Sequence, residues 1–344
     1  MQRLVFRKKG ILEWEEIDTP TISGGNQALV EPIAIARCDL DLPIVRGETL
    51  FRAPFPVGHE FVGRIKKVSE DLEGKFKIGT MVAIPFQISC GTCPTCLSLH
   101  TNSCETVPYT SAYGMPPGAQ TFGGAISELL LVPYAERMLF ELDSNINPIG
   151  IASFSDNIAE VWKLAGRFLT KKKDPKTIVV GGNAGSIGLY TALYLHQTKK
   201  AEVMYVDTNR ERIDLASSLG IPVTHFTTFP KPNERYDLVC DASATKEGWD
   251  FATRSLGKNA ILSSASIFWT NRLEIPYLEM YNQGAEIHIG RVESLDSMQA
   301  LYPEIQSGAF QPESIVTKTV SFAEAKEAWL EESIKLVVTR SSLD

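Results

Sequence analysis

Four cysteines within fifteen residues constrain this chain more than any other feature. The segment CGTCPTCLSLHTNSC sets Cys90, Cys93, Cys96 and Cys104 at C-x2-C-x2-C-x7-C spacing. Two residues between thiolates let a tight turn aim both sulfurs at one ion, and a longer return supplies the last corner of a tetrahedron. The N-terminal stretch MQRLVFRKKGILEWEE carries basic residues but neither an apolar run nor a small-residue cleavage site, so a cytoplasmic chain is expected. In that compartment such a cluster reads as metal ligands before disulfides. Four sulfurs leave no open position, so residues 90–104 are expected to hold a structural zinc. An iron–sulfur cluster and a disulfide pair are the alternatives. His100 lies inside the loop, but with the shell complete it reads as a surface residue.

At 344 residues the chain exceeds one compact core and is expected to form two domains. Charged residues at 22% and hydrophobic residues at 44% are ordinary for a globular protein. The formal net charge of −7 argues against a nucleic-acid partner, and with it against a zinc-ribbon reading. The one basic run, Lys171 to Lys173, reads as a solvated loop. No apolar stretch is long enough to span a bilayer. Residues 1 to about 150 look β-rich, with short runs such as ALVEPIAIA, FVGRIKKV and TMVAIPF between Gly, Pro and charged turns. From about 151 the texture becomes helix, strand, helix, strand: SDNIAEVWKLAGRFL, TIVVGG, SIGLYTALYLHQ, AEVMYV and onward to about 290. That alternation is the rhythm of a parallel α/β sheet. A helix-like FAEAKEAWLEE and a closing strand IKLVVT follow.

TIVVGGNAGSIGL reads as a strand, a glycine-rich turn and a helix. A helix N-terminus offers N–H groups and a positive dipole end to a pyrophosphate. Gly185 would let the backbone approach the phosphates, Ser186 and Ile187 would open the helix, and Gly188 would let it pack on the strand. Asn183 stands where the first glycine of G-x-G-x-x-G is usual, and Asn tolerates left-handed geometry. Asp207 ends the next strand, where a carboxylate can hold a ribose 2′-hydroxyl and repel a 2′-phosphate. NAD is therefore expected over NADP, although Arg210 and Arg212 lie close by and weaken the preference. Cys240 in the apolar run YDLVCDA reads as a buried small hydrophobe.

His59 and Glu60 in GHEFVG, and Cys38 in ARCDLDL, would not be grouped by spacing alone. The order CDLD, GHEFVG, four-cysteine loop, FGGAISE and glycine-rich strand resembles the zinc-dependent medium-chain alcohol and polyol dehydrogenases, and the likeness runs through SGAFQPESIVTKTVSFAEAKEAW. The resemblance implies a GroES-like catalytic domain from residues 1–150 and 290–344, a Rossmann NAD(H)-binding domain at 151–289, and a catalytic zinc in the cleft between them. It makes Cys38 and His59 zinc ligands. Glu60 becomes a ligand or a mobile group that exchanges with water or substrate. Asp156 becomes the remaining ligand, with Ser155 one residue away as the alternative register. Asp41 would orient the zinc-bound His. Lys335 matches a basic position that reaches the cofactor pyrophosphate, against the plain reading of an exposed lysine. The implied activity is zinc-assisted hydride transfer between NAD(H) and a small alcohol, polyol or carbonyl compound, in a homodimer or homotetramer, with Rossmann edge strands such as AEIHIG as the route to pairing.

The pattern breaks at two positions. Relatives follow the first ligand with a Ser or Thr that touches the substrate oxygen and a His that passes the proton on. Here these are Leu40 and Pro43, neither able to carry a proton. Asp39, Glu60, Asp156 and water are the candidate replacements. The break leaves open an NAD(P)H-dependent reductase of an imine or activated double bond, or a non-catalytic member, although retained ligands count against the last. Phe51, Phe122 and Leu40 suggest an apolar pocket, with Trp269 also a candidate lining residue.

Overall fold

The computed structural model describes residues 1–340, which divide into two compact units. One comprises Met1–Ala159, Glu293–Gln299 and the segment from Val316 onward; the other comprises Glu160–Val292 and Ala300–Ile315.

The first unit is built around the strand Gln27–Ala36, in which only Gln27 and Glu31 escape full burial. A strand covered on both faces needs such an unbroken apolar run. It pairs antiparallel with Glu60–Val68 on one side, and with Leu130–Pro133 and Leu336–Thr339 on the other. Pro32 cannot donate to a ladder, and the register shifts between Pro32 and Ala34, where a bulge accommodates it. The sheet continues through Met81–Ala83 to Phe140–Glu141, while Lys318–Ser321 runs parallel to Leu336–Thr339 at the other edge. Phe55, Phe61, Ile65, Tyr113, Ile126 and Trp329 fill the core.

Register delivers the functional residues. Ala36 lies opposite both Glu60 and Val337. In antiparallel pairs the end of one strand meets the start of its neighbours. The chain leaving Ala36 (Arg37, Cys38), the chain entering Glu60 (His59) and Lys335 just before Leu336 therefore converge on one spot. Arg37 fixes this junction: it is 5% exposed, and its guanidinium donates to the carbonyls of Trp329 (3.0 Å) and Glu331 and to Ser333 Oγ (2.9 Å).

Two helices are shorter than the sequence pattern predicts. SDNIAEVWKLAGRFL reads as one helix, yet the α-helix spans only Ala159–Leu164, followed by a 3-10 turn at Gly166–Phe168. Residues 150–158 instead form tight turns, with Asp156 N (3.2 Å) and Ile158 N (3.0 Å) both donating to Ser153 O. FAEAKEAWLEE becomes a 3-10 turn Phe322–Glu324, opened by a Ser321–Glu324 capping box, and a short helix Ala325–Ala328.

The second unit holds six parallel strands: Lys176–Val180, Glu202–Asp207, Val223–His225, Tyr236–Asp241, Leu256–Ser264 and Glu286–Ile289. Across the sheet they lie in the order third, second, first, fourth, fifth, sixth. The order reverses between the first and fourth strands, and ligands of such sheets bind beyond the carboxyl ends at that point. Helices Gly185–Thr198, Arg210–Ser218 and Lys246–Arg254 follow the first, second and fourth strands. Ile178, Val206, Trp249, Phe251 and Leu262 form the core. Among the described residues no helix is long and apolar enough to cross a membrane.

Replacing Arg37 by Met keeps the apolar stem but leaves buried carbonyls at Trp329 and Glu331 without their donor. The variant is expected to lose about 3 kcal/mol of stability, read as a lower urea midpoint, with the second unit's transition unmoved if the two are resolved.

Candidate metal centres and dinucleotide site

Cys38, His59, Glu60 and Asp156 each bring a ligand atom within 4.8 Å of the others, and all four are buried. His59 Nε2 is 3.2 Å from Asp156 Oδ2. Its Nδ1 faces Asp41 Oδ1 at 3.6 Å and has no hydrogen-bond partner. Asp41 Oδ2 accepts from Cys38 N at 2.8 Å, so this carboxylate ties the Cys38 turn to the His59 ring. The Cys38 thiol donates to Asn157 Oδ1 (3.3 Å) and accepts from Leu40 N (3.5 Å). The ring of Phe86 walls the imidazole at 5.5 Å between centroids. Asp156, rather than Ser155, points into the cluster; Ser155 Oγ is buried elsewhere without a partner.

The electrostatics of this cluster conflict. Burial opposes charge on His59, yet Asp41 and the hydrogen bond to Asp156 lift it to about 9. Burial, with help from neighbouring carboxylates, drives the Cys38 thiol well above its usual range. Burial also raises Asp41, against His59 and the Cys38 amide. Asp156 is held below its usual value by His59, despite its burial. A thiol, an imidazole with an orphaned outer nitrogen and packed carboxylates form a donor set that fits a divalent metal of borderline softness.

Glu60 has further partners. Its Oε2 accepts from Ser153 Oγ (2.7 Å) and Lys335 Nζ (2.8 Å), and its Oε1 from Asn157 N (3.1 Å). Burial lifts its pKa to about 7 even with Lys335 beside it. Lys335 is not the exposed lysine of its plain reading: its side chain is 0% exposed, and Nζ also donates to Arg37 O at 2.9 Å. The antiparallel register beside Ala36 and Glu60 carries it into the interior.

The second cluster is Cys90, Cys93, Cys96 and Cys104, again with ligand atoms within 4.8 Å of one another. Cys90 Sγ accepts from Thr106 Oγ1 (3.1 Å), Cys93 N (3.3 Å) and Thr92 N (3.4 Å). Burial opposes its ionisation, but these donors lower it to about 5. Cys96 moves upward with burial and its sulfur neighbours. The four thiols cannot all ionise at such distances without a cation, so this set also fits a metal. His100 sits at the surface and pairs with Glu293 at 3.0 Å.

In the second unit the turn after Lys176–Val180 runs without a left-handed residue, so Asn183 is not there for its tolerance of that geometry. Instead Asn183 N donates to Ser243 O (2.7 Å) and its side-chain amide to Ala244 O (3.2 Å), pinning the loop to the end of the fourth strand. Gly185, Ser186, Ile187 and Gly188 form the first turn of the helix Gly185–Thr198. The space left by Gly185 is filled by Arg212, whose Nη1 lies 2.7 Å from where a Cβ would be. The expectation for Asp207 also needs correcting. It has no solvent exposure, and both oxygens are occupied by Arg212, Tyr205 and Asn209. It does not stand free for a ribose hydroxyl.

Sequence reading missed Ser153, Asn157, Arg37 and Tyr205. Tyr205 alone carried a local signal, because residues two apart on a strand share a face. Trp269 is 44% exposed, while Phe51 and Phe122 pack half-buried against the first unit's core.

Comparison with known proteins fits this geometry. Residues 24–143 match the family model of the alcohol dehydrogenase GroES-like domain. The chain is 24% identical over 339 residues to a probable zinc-binding alcohol dehydrogenase of Mycobacterium tuberculosis, covering 96% of this chain and 84% of that protein. It is 29% identical over 238 residues to an L-threonine 3-dehydrogenase of Edwardsiella ictaluri, covering 68% of this chain and 64% of that one. Among solved structures, the alcohol dehydrogenase of Thermus sp. ATN1 superposes with a TM-score of 0.89 at 25% identity, covering 99% of this chain and 100% of that one. Residues 24–143 thus belong with the alcohol dehydrogenase GroES-like domain, and over nearly its whole length the chain is similar to zinc-type alcohol dehydrogenases.

Proposed function

We propose that the chain transfers hydride between a nicotinamide dinucleotide held by the second unit and a small alcohol or carbonyl compound held at the Cys38 cluster. The observation that carries this reading is the buried set Cys38, His59, Asp156 and Glu60, in which Glu60 is held by three other donors. With Glu60 so held, Cys38, His59 and Asp156 would hold a zinc ion, which would supply a binding point for the substrate oxygen. Bound there, zinc supplies Lewis acidity that polarises the substrate oxygen. The chain's own residues do the rest. Asp41 faces His59 Nδ1 and fixes the ring so that Nε2 faces the cluster. Phe86 closes one side with an apolar ring, which favours apolar over sugar-like substrates. Lys335, Ser153 and the Asn157 amide restrain the Glu60 carboxylate, which would limit its competition with substrate for the metal. The four-cysteine set takes a structural zinc.

Leu40 and Pro43 supply no proton relay, so water carries the proton, and reduction of an imine or activated double bond is a second reading with the same machinery. Protein purified without chelator is expected to hold two zinc ions per chain and to turn over nicotinamide with alcohols or carbonyls. Combining Cys38→Ser with Asp156→Asn should remove one zinc and the turnover while sparing the other. One zinc per chain in the natural protein would sink the catalytic reading, and imine turnover without alcohol turnover would favour the second.

Freeing Glu60 tests its restraint. Lys335→Met is expected to lower turnover by about tenfold or more with zinc content unchanged, and Lys335→Arg to recover most of it.

We also propose a homo-oligomer formed through the second unit's sheet edge. Glu286–Ile289 is the terminal strand, and Ile289 (70%), Tyr277 (69%), Leu278 (70%) and Tyr281 (71%) are exposed apolar side chains close to it in the chain. A strand edge without a neighbour among the described residues, and exposed apolar side chains, each invite a second copy. Sedimentation should find a dimer or tetramer, and Leu278→Glu with Tyr281→Glu should shift it toward monomer.

A further inference from the structure

Cys38 and His59 stand where strands end or begin, and the ladders beside them fix their places. Asp156 has no such support, because residues 150–158 form tight turns. The two peptide groups that flank it must therefore aim its carboxylate. The Ser155 carbonyl and the Asp156 amide belong to one planar unit. Its amide end donates to Ser153 O at 3.2 Å, and its carbonyl end accepts from Ser294 Oγ. The following peptide is pinned by the Asn157 amide on Glu60 Oε1 at 3.1 Å. With both planes pinned the backbone of Asp156 is set, and its Oδ2 meets His59 Nε2 at 3.2 Å.

Ser153 is local to those turns and Glu60 to the cluster, but Ser294 comes from 139 residues away. It opens the helix Ser294–Gln306 and has no solvent exposure. A first-turn amide has no partner within its own helix, and that of Ser294 donates to Gln87 Oε1 at 3.3 Å. Gln87 is a fixed post. It is buried, and the backbone on either side is anchored: Tyr113 N donates to Phe86 O and Ile88 N to Ser111 O, both at 3.0 Å. Phe86 is also the ring that walls His59. All of these residues lie in the first unit. The neighbouring contact of His100 with Glu293 is 62% exposed on the His100 side and adds little.

We propose that Ser294, seated by Gln87, is a positioning residue for the metal at the Cys38 cluster: its hydroxyl sets the Ser155–Asp156 peptide plane, and with it the aim of the Asp156 carboxylate. The inference rests on the reading of Asp156 as a metal ligand given above. Ser294 acts on the metal only through Asp156, so its loss should alter that site and spare the four-cysteine set.

Cobalt(II) loaded into the full chain in place of zinc tests it, because a one-sulfur and a four-sulfur site absorb visible light differently. The natural chain is expected to show both sets of bands. In Ser294→Ala the one-sulfur bands should shift, and competition with a chelator should find that site weakened by about tenfold or more. The four-sulfur bands should not change. Ser294→Thr keeps the hydroxyl and should recover most of the loss. Should Ser294→Ala not fold, Gln87→Met unseats Ser294 without removing its hydroxyl and should move the same bands by a smaller amount. One-sulfur bands and affinity that neither variant moves, or both sets of bands fading together, overturn the positioning role. A natural chain with four-sulfur bands alone overturns the reading of the Cys38 cluster as a metal site, and that failure is seen before any substitution is made.

Discussion

One ammonium group sealed in the interior balances the metal cluster. Lys335 has no exposed side-chain surface, and Nζ sits between Glu60 and the carbonyl of Arg37. Buried charge is costly unless it is paired and hydrogen-bonded. With His59 neutral, as a metal ligand must be, Asp41, Glu60, Asp156 and a Cys38 thiolate would bring four negative charges into a region that Lys335 and Arg37 answer with two. The shortfall is that of a dication. Without one, burial forces the groups toward neutrality, which is the direction taken by Cys38, Asp41 and Glu60. The proposed metal therefore completes an electrostatic arrangement that the surrounding side chains leave short.

That arrangement depends on sheet register more than on local sequence. Ala36 opposite Glu60 and Val337 joins chain segments separated by 275 residues between Glu60 and Lys335. The four-cysteine loop was legible in the sequence because its geometry is local: two-residue spacers act through a single turn. Cys38 and His59 have no such spacing, and only the family resemblance grouped them. Ser153, Asn157 and Arg37 left no trace in the sequence, because each acts through a long-range contact. The expected helix over SDNIAEVWKLAGRFL failed for the same reason. Its first residues had periodicity enough to propagate a helix, but Ser153, Asp156 and Asn157 must all turn toward Glu60, His59 and Cys38, which successive tight turns allow.

In the second unit the apolar runs marked the strands well, since parallel strands buried on both faces read as continuous hydrophobic stretches. What the pattern could not convey was occupancy. Asp207 stands at the end of its strand as the motif requires, yet a tyrosine two residues before it and an arginine in the next helix's first turn claim both oxygens. A motif specifies where a side chain sits; its neighbours decide what it remains able to do.

The same distinction applies at Leu40 and Pro43. Leu40 caps the short helix Asp41–Val45, and Pro43 falls in its first turn, where a missing N–H removes no intrahelical bond. Proline there stiffens the turn that carries Asp41, whose charge also suits a helix N-terminus. Rigidity at Asp41 serves His59 and the Cys38 amide directly. The chain thus holds the ligand geometry firmly while lacking the hydroxyl and imidazole that would conduct a proton outward. Alcohol oxidation must release a proton from the substrate oxygen, so it falls back on water. A substrate that already carries its proton, as an iminium does, would need no such path, and for it the loss at positions 40 and 43 would be no loss at all.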